Sequence, residues 1–251
     1  MKIARARARF GELETECQAF FDGEPYGIEV KRDQEDRPVY FVQRAQDPPP
    51  LIAAIAGDAI QNLRSALDHV AYELVMTNVS GARPLGHVYF PIAESKAKYD
   101  AKKAKQLKGV SPAVIDAIDS LRPYKGGDDV LWLLHSLNNI DKHRLLVTVG
   151  SFYRSVDLGG HITRKMAKQF PHLTEMPELS AFFRLEGAPP LRVGDDLLSL
   201  EPGGDVDPHM QFRFHLAFHE VGICEGEPLM DTLINMVDAV EGVVARLDSL
   251  T

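Results

Sequence analysis

Residues 51–78 read LIAAIAGDAIQNLRSALDHVAYELVMTN, a run with no internal proline and a single early glycine, Gly57. Apolar side chains at Ala59, Leu63, Leu67 (with Ala66), Val70 and Leu74 recur at helical spacing and predict one continuous buried stripe. Asp58, Asn62, Ser65, His69 and Tyr72 follow at steps of four, three, four and three, which predicts a second stripe, a polar one. Arg64 and Asp68 stand four apart and can pair along the same helix. Pro48-Pro49-Pro50 gives a rigid lead-in, and Ser80-Gly81 a way out. A long helix with a dry face and a row of hydrogen-bonding groups reads as the centre of a helical bundle that carries a site.

Outward from that helix, the pattern predicts an α+β chain. Residues 1–22 place Ile3, Phe10, Leu13, Cys17, Phe20 and Phe21 among charges and read as a helix, although residues 3–10 also alternate as a strand would. Two β-rich runs within 27–44, joined by a charged turn with Asp33, Asp36 and Pro38, predict a hairpin. His87–Ile92 reads as extended and Ala93–Lys108 as a weak, lysine-rich helix with a solvent face. Ser111-Pro112 caps a helix to about Leu121, and Val130–Leu146 forms another over Leu131, Leu134, Leu137 and Ile140.

Beyond about residue 145 the period changes from 3.6 to 2. Strands are predicted from Val147, at Ala181–Glu186, Leu191–Val193, Leu197–Leu200 and Met210–His219, and an amphipathic helix over 228–250 closes the chain. The division falls between a mainly helical part, 1–146, and a β-rich part, 147–251. The hairpin is free to join the later sheet, so the two can form one domain together.

Composition narrows the function classes. The 251 residues are 45% hydrophobic and 25% charged, enough for a sizeable core. A net charge of −8 excludes a global basic field for nucleic acid while leaving room for a local basic cleft. Two cysteines are too few for a disulfide framework or a thiolate zinc site. No run reaches the roughly 18 apolar residues of a membrane span, and the Arg-Ala alternation at residues 4–9 lacks the apolar core of a secretory signal. The expected setting is cytoplasmic, with no membrane partner.

Two polar constellations stand out. In the first, Arg64-Ser-Ala-Leu-Asp-His69, the R-x4-H spacing on a long helix resembles the motif of the HEPN superfamily, many of whose members are metal-independent endoribonucleases. The resemblance covers one helix, and Ser65 stands where the family usually has Asn, Asp or His. It implies a homodimer that brings two copies of the pair together over RNA. Arg64 would hold the phosphate and His69 would move the proton, with Asp58, Asn62 and Asp68 in support and no cofactor. The bland alternative is an Arg64–Asp68 pair and a hydrogen-bonded His69 that only fix packing.

In the second constellation, residues 135–144 read HSLNNIDKHR, with His135, Asn139 and Lys142 or His143 on one helical face. Buried amides and ions need partners, which the polar stripe of the central helix can supply. Otherwise Lys142, His143 and Arg144 simply complement a helix C-terminus. Paired helices bearing NLRSALDH and NIDKHR also resemble a family of bacterial proteins of unassigned activity.

His69, His135, His143, Asp58 and Asp68 could in principle ligate a metal inside a bundle, although no ExxH is present. His215 and His219 lie on an alternating strand and are expected about 13 Å apart on its polar face, at about 3.3 Å per residue. There is no GxSxG, P-loop or GxGxxG. The expected function is thus a HEPN-like ribonuclease. A non-enzymatic binding or interaction module is the alternative, and a metal-assisted hydrolase the third.

Overall fold

The computed structural model describes residues 1–78, 88–108, 110–144, 149–170, 182–184 and 190–248. Along the chain these form α1 (Lys2–Asp22), β1 (Tyr26–Arg32), β2 (Pro38–Ala45), α2 (Pro50–Asn78), α3 (Lys96–Gln106), α4 (Pro112–Leu121) and α5 (Asp129–Arg144). They continue with β3 (Val149–Asp157), α6 (Leu158–Gln169), β4 (Phe182–Arg184), β5 (Asp196–Ser199), β6 (Phe212–Phe218) and α7 (Leu229–Asp248). The α+β class expected from the sequence is the one observed.

The 29-residue α2 spans about 43 Å at about 1.5 Å per residue. Its dry stripe is buried from Ile52 through Ala59, Leu63, Leu67 and Val70 to Leu74. Around it pack α1, α5 and α7. The alternating Arg-Ala start of α1 resolves as helix because Ala6, Leu13 and Phe20, seven apart, form one buried line against α2. On α7 the buried line runs from Leu229 and Leu233 to Val240 and Leu247. One apolar cluster therefore joins residues from Ala6 to Leu247.

Local chemistry sets the smaller helices. Ser95 accepts the Lys98 N–H at the start of α3, and Ser111 accepts the Val114 N–H ahead of Pro112 in α4. α4 ends at Arg122, whose φ of 51° is left-handed, just before Pro123. Among the described residues two three-stranded antiparallel sheets complete the fold, in the orders β1-β2-β5 and β4-β3-β6. The hairpin does join a later strand: Val39 pairs with Ser199 and Tyr40 with Leu198. None of the helices among the described residues is long and apolar enough to cross a membrane.

The sequence reading departs from this structure at three places. α6 was not expected, because Gly159-Gly160 weakens the helical signal of its first turn. Glycine suits position 160 because a Cβ there would collide with the Asp157 carboxylate, which caps the helix by accepting the Gly160 N–H at 3.0 Å. Leu191–Val193 is no strand. Arg192 N–H is drawn to Asp195 Oδ2 at 2.7 Å in a turn that closes on Gly194, φ 96°. His215 and His219 do not share an open polar face, since both half-buried rings pack at 6.1 Å against Phe152.

Candidate functional site

The polar stripe on α2 does not build the site. Asp58, His69 and Tyr72 are exposed, and Asp58 lies 3.5 Å from Arg9 Nε of α1. Asn62 donates to the Asp58 carbonyl of its own helix at 2.8 Å. Arg64 points the other way, 5% exposed. At about 100° per residue, Arg64 and His69 stand about 140° apart around α2, so a single protomer does not bring them to one point.

Arg64 instead clamps a peptide group. Its Nη2 donates to the Phe90 carbonyl at 2.8 Å, and its Nη1 lies 2.7 Å from Asp68 Oδ1. That same carboxylate oxygen accepts the Phe90 N–H at 2.9 Å. Two side chains one turn apart on α2 thus satisfy both the N–H and the carbonyl of Phe90 in the 88–92 segment. Burial works against both charges, drawing the guanidinium pKa down and pushing the carboxyl pKa up, and their mutual attraction opposes it.

Beside the clamp is a cavity of about 240 Å³ between α2, α3 and α5. Arg64 and Asp68 form one wall, Lys102 and Gln106 of α3 a second, and His135, Asn138, Asn139 and Lys142 of α5 a third. The sequence-predicted residues Arg64, Asp68, Asn139 and Lys142 therefore meet here, whereas Asp58, Asn62 and His69 do not. His143 belongs to α5, but its side chain lies outside the described residues.

Lys102 and Gln106 were missed because α3 reads as a solvated lysine helix. The available signal was Tyr99: its burial marks the inward face, and Lys102, one step of three along, follows it. Lys102 Nζ donates to the Ile92 carbonyl at 2.7 Å.

The cavity is electropositive inside an acidic chain. Among the described residues three cationic side chains and one carboxylate line it, a balance of +2 against −8 for the whole protein. The crowding registers on its members. Burial, then the charge of Arg64, draws Lys102 below its usual range. Burial, reinforced by Arg64, Lys102 and Lys142, pushes His135 down to about 3. His135 is therefore neutral. Its Nε2 lies 3.2 Å from the Asn139 amide nitrogen; with that nitrogen as donor, the ring proton is assigned to Nδ1. That Nδ1–H is buried without a hydrogen-bond partner among the described residues, as are the amide oxygens of Gln106 and of Asn138, itself 2% exposed. Turned about its axis, each amide presents a donor instead. Buried polar atoms left open in this way point to an occupant.

The neutral His135 links stability to pH. Its folded pKa lies below the usual 6.5 or so, so between about pH 3 and 6.5 the unfolded chain binds a proton that the folded one does not. The stabilising contribution is complete above that window and is lost as pH falls through it. In urea titrations at about pH 7 and about pH 5, His135→Gln is expected to lose less stability than wild type. Equal losses would mean that the imidazole is solvated.

Compared with known proteins, the chain matches no family model, no curated protein and no solved structure. Among the described residues, no group of three or more His, Cys, Asp or Glu side chains is placed to hold a metal ion.

Proposed function

We propose that the protein is a binding module for a small ligand bearing an oxyanion, a phosphate or carboxylate, seated between α2, α3 and α5. One observation carries the reading: an unpartnered, buried His135 Nδ1–H opens into a cavity whose lining charge is +2. An anion there would accept from His135 and Lys142, turn the Asn138 and Gln106 amides to donate, and relieve the mutual repulsion of Arg64, Lys102 and Lys142. The volume is below the usual range of about 300–1,000 Å³ for drug-sized sites, which favours a compact metabolite. All of these groups come from one protomer, so binding requires no second copy.

The test is calorimetric titration with inorganic phosphate and with acetate. Lys142→Ala, at an exposed rim position, and Lys102→Met are each expected to weaken binding about tenfold or more, since a charge-assisted hydrogen bond contributes about 1.5–3 kcal/mol. Absence of binding to either anion at millimolar concentration, or variants that bind as tightly as wild type, overturns the proposal.

The same preparation incubated with mixed RNA and EDTA addresses the metal-independent ribonuclease implied by the R-x4-H resemblance. The binding reading expects no cleavage. Cleavage abolished in both His69→Ala and Arg64→Ala would replace it with the nuclease, formed across a dimer.

A further inference from the structure

A second cavity, of about 620 Å³, lies between α6 and the segment 198–209 and shares no lining residue with the first. Its walls are largely apolar: Leu158 and Ile162 on one side, Leu198, Leu200 and Val206 on the other. Ile162 and Val206 are each more than a third exposed, so apolar surface is left open to solvent inside a concave site of ligand-binding size.

One polar cluster stands in this wall. Asp207 is 8% exposed, and its backbone is fixed by Tyr40, whose hydroxyl accepts the Asp207 N–H at 2.8 Å. Its Oδ1 accepts the His209 N–H at 2.9 Å; its Oδ2 accepts from Arg164 Nε at 2.9 Å and lies 3.0 Å from His161 Nδ1. Burial alone would raise the Asp207 pKa. The hydrogen bonds from His209, His161 and Arg164 outweigh it and hold the group below the usual carboxylate range. An ionised carboxylate only accepts, so a neutral His161 carries its proton on Nδ1. Its Nε2 is then a lone pair on the opposite edge of the ring, and no hydrogen bond among the described residues engages it.

We propose that this cavity binds an apolar molecule carrying one hydroxyl group, which donates its hydrogen bond to His161 Nε2 while the hydrocarbon body fills the space between Ile162 and Val206. The charge around the site supports a neutral occupant. Arg164 and Asp207 neutralise each other, and Lys165 with Glu201 and Asp205 leaves a single negative charge on the rim, which repels an anion. Asp207 is a positioning residue: it selects the imidazole tautomer and so decides that the site reads a donor rather than an acceptor.

The probe pair is 1-naphthol and its methyl ether, 1-methoxynaphthalene, titrated by fluorescence into the full chain. Wild type is expected to bind the alcohol about tenfold more tightly than the ether, because only the alcohol satisfies the lone pair. In His161→Phe that ratio falls to about one. Ile162→Asp weakens both ligands without changing their ratio. Asp207→Asn, which can offer an amide N–H to Nδ1 and so move the ring proton to Nε2, also lowers the ratio while a far-ultraviolet spectrum reports the fold intact. Equal binding of alcohol and ether by wild type, absence of binding, or a ratio that survives in His161→Phe overturns the proposal.

Discussion

Asp68→Ala is expected to destabilise the protein more than Arg64→Met, by about 3–5 kcal/mol against about 1–3 kcal/mol, although the two residues form one ion pair. The asymmetry follows from burial: the side chains are 6% exposed for Arg64 and 24% for Asp68. Removing the carboxylate leaves a buried guanidinium whose remaining bond is to the Phe90 carbonyl, and it orphans the Phe90 N–H as well. Removing the guanidinium orphans the Phe90 carbonyl, but it leaves no buried charge: the carboxylate is reached by water, still accepts from Phe90 and still feels Lys142. The double variant Arg64→Met/Asp68→Leu should recover only part of the loss, since an apolar pair removes both charge-desolvation penalties but leaves the Phe90 N–H and carbonyl without their partners. Urea denaturation of the four proteins measures the cycle. If Arg64→Met proves the more damaging single change, the guanidinium stabilises the fold by more than its pairing with Asp68.

Leu63→Ala should cost about 2–5 kcal/mol, whereas Leu51→Ala on the same helix should stay within about 0.5 kcal/mol. Leu63 is 0% exposed midway along α2, in the cluster shared by α1, α5 and α7; Leu51 is 51% exposed at its start. Helices on several sides limit how far the gap can collapse, which puts the expected loss toward the upper end of that range. A small effect at Leu63 would mean that the bundle repacks freely around α2.

The bundle was legible in the sequence because burial imposes a period. Ala59, Leu63, Leu67 and Leu74 repeat at the spacing of one helical face, the face that α1, α5 and α7 cover. The cleft was half legible. Dense polar residues at His135, Asn139 and Lys142 beside a leucine stripe marked α5 as unusual, and Arg64 was singled out. Its pairing with Asp68 was legible as a spacing of four, whereas its bond to the Phe90 carbonyl, 26 positions away, was not. Lys102 was hidden in a run of lysines whose composition says solvent. Only the turn of α3 decides which lysine faces inward. The Asp207–His161–Arg164 cluster left no local trace at all. It joins residues more than 40 positions apart, and α6, which carries two of them, begins with two glycines that blur its pattern.

The β2–β5 pairing has a consequence for how the chain is made. Val39, Tyr40 and Val42 are buried in the finished sheet, yet the strand that covers the outer edge of β2 ends at Ser199. At roughly 5–20 residues per second, a ribosome needs roughly 8–30 s to travel from the end of one strand to the end of the other. Throughout that interval β1 and β2 are synthesised but exposed along one side, a free edge of the kind that pairs with a neighbouring chain. α1 and α2, by contrast, can pack as soon as both have emerged. Nascent chains are thus most vulnerable to association between the completion of α2 and the arrival of Asp196–Ser199.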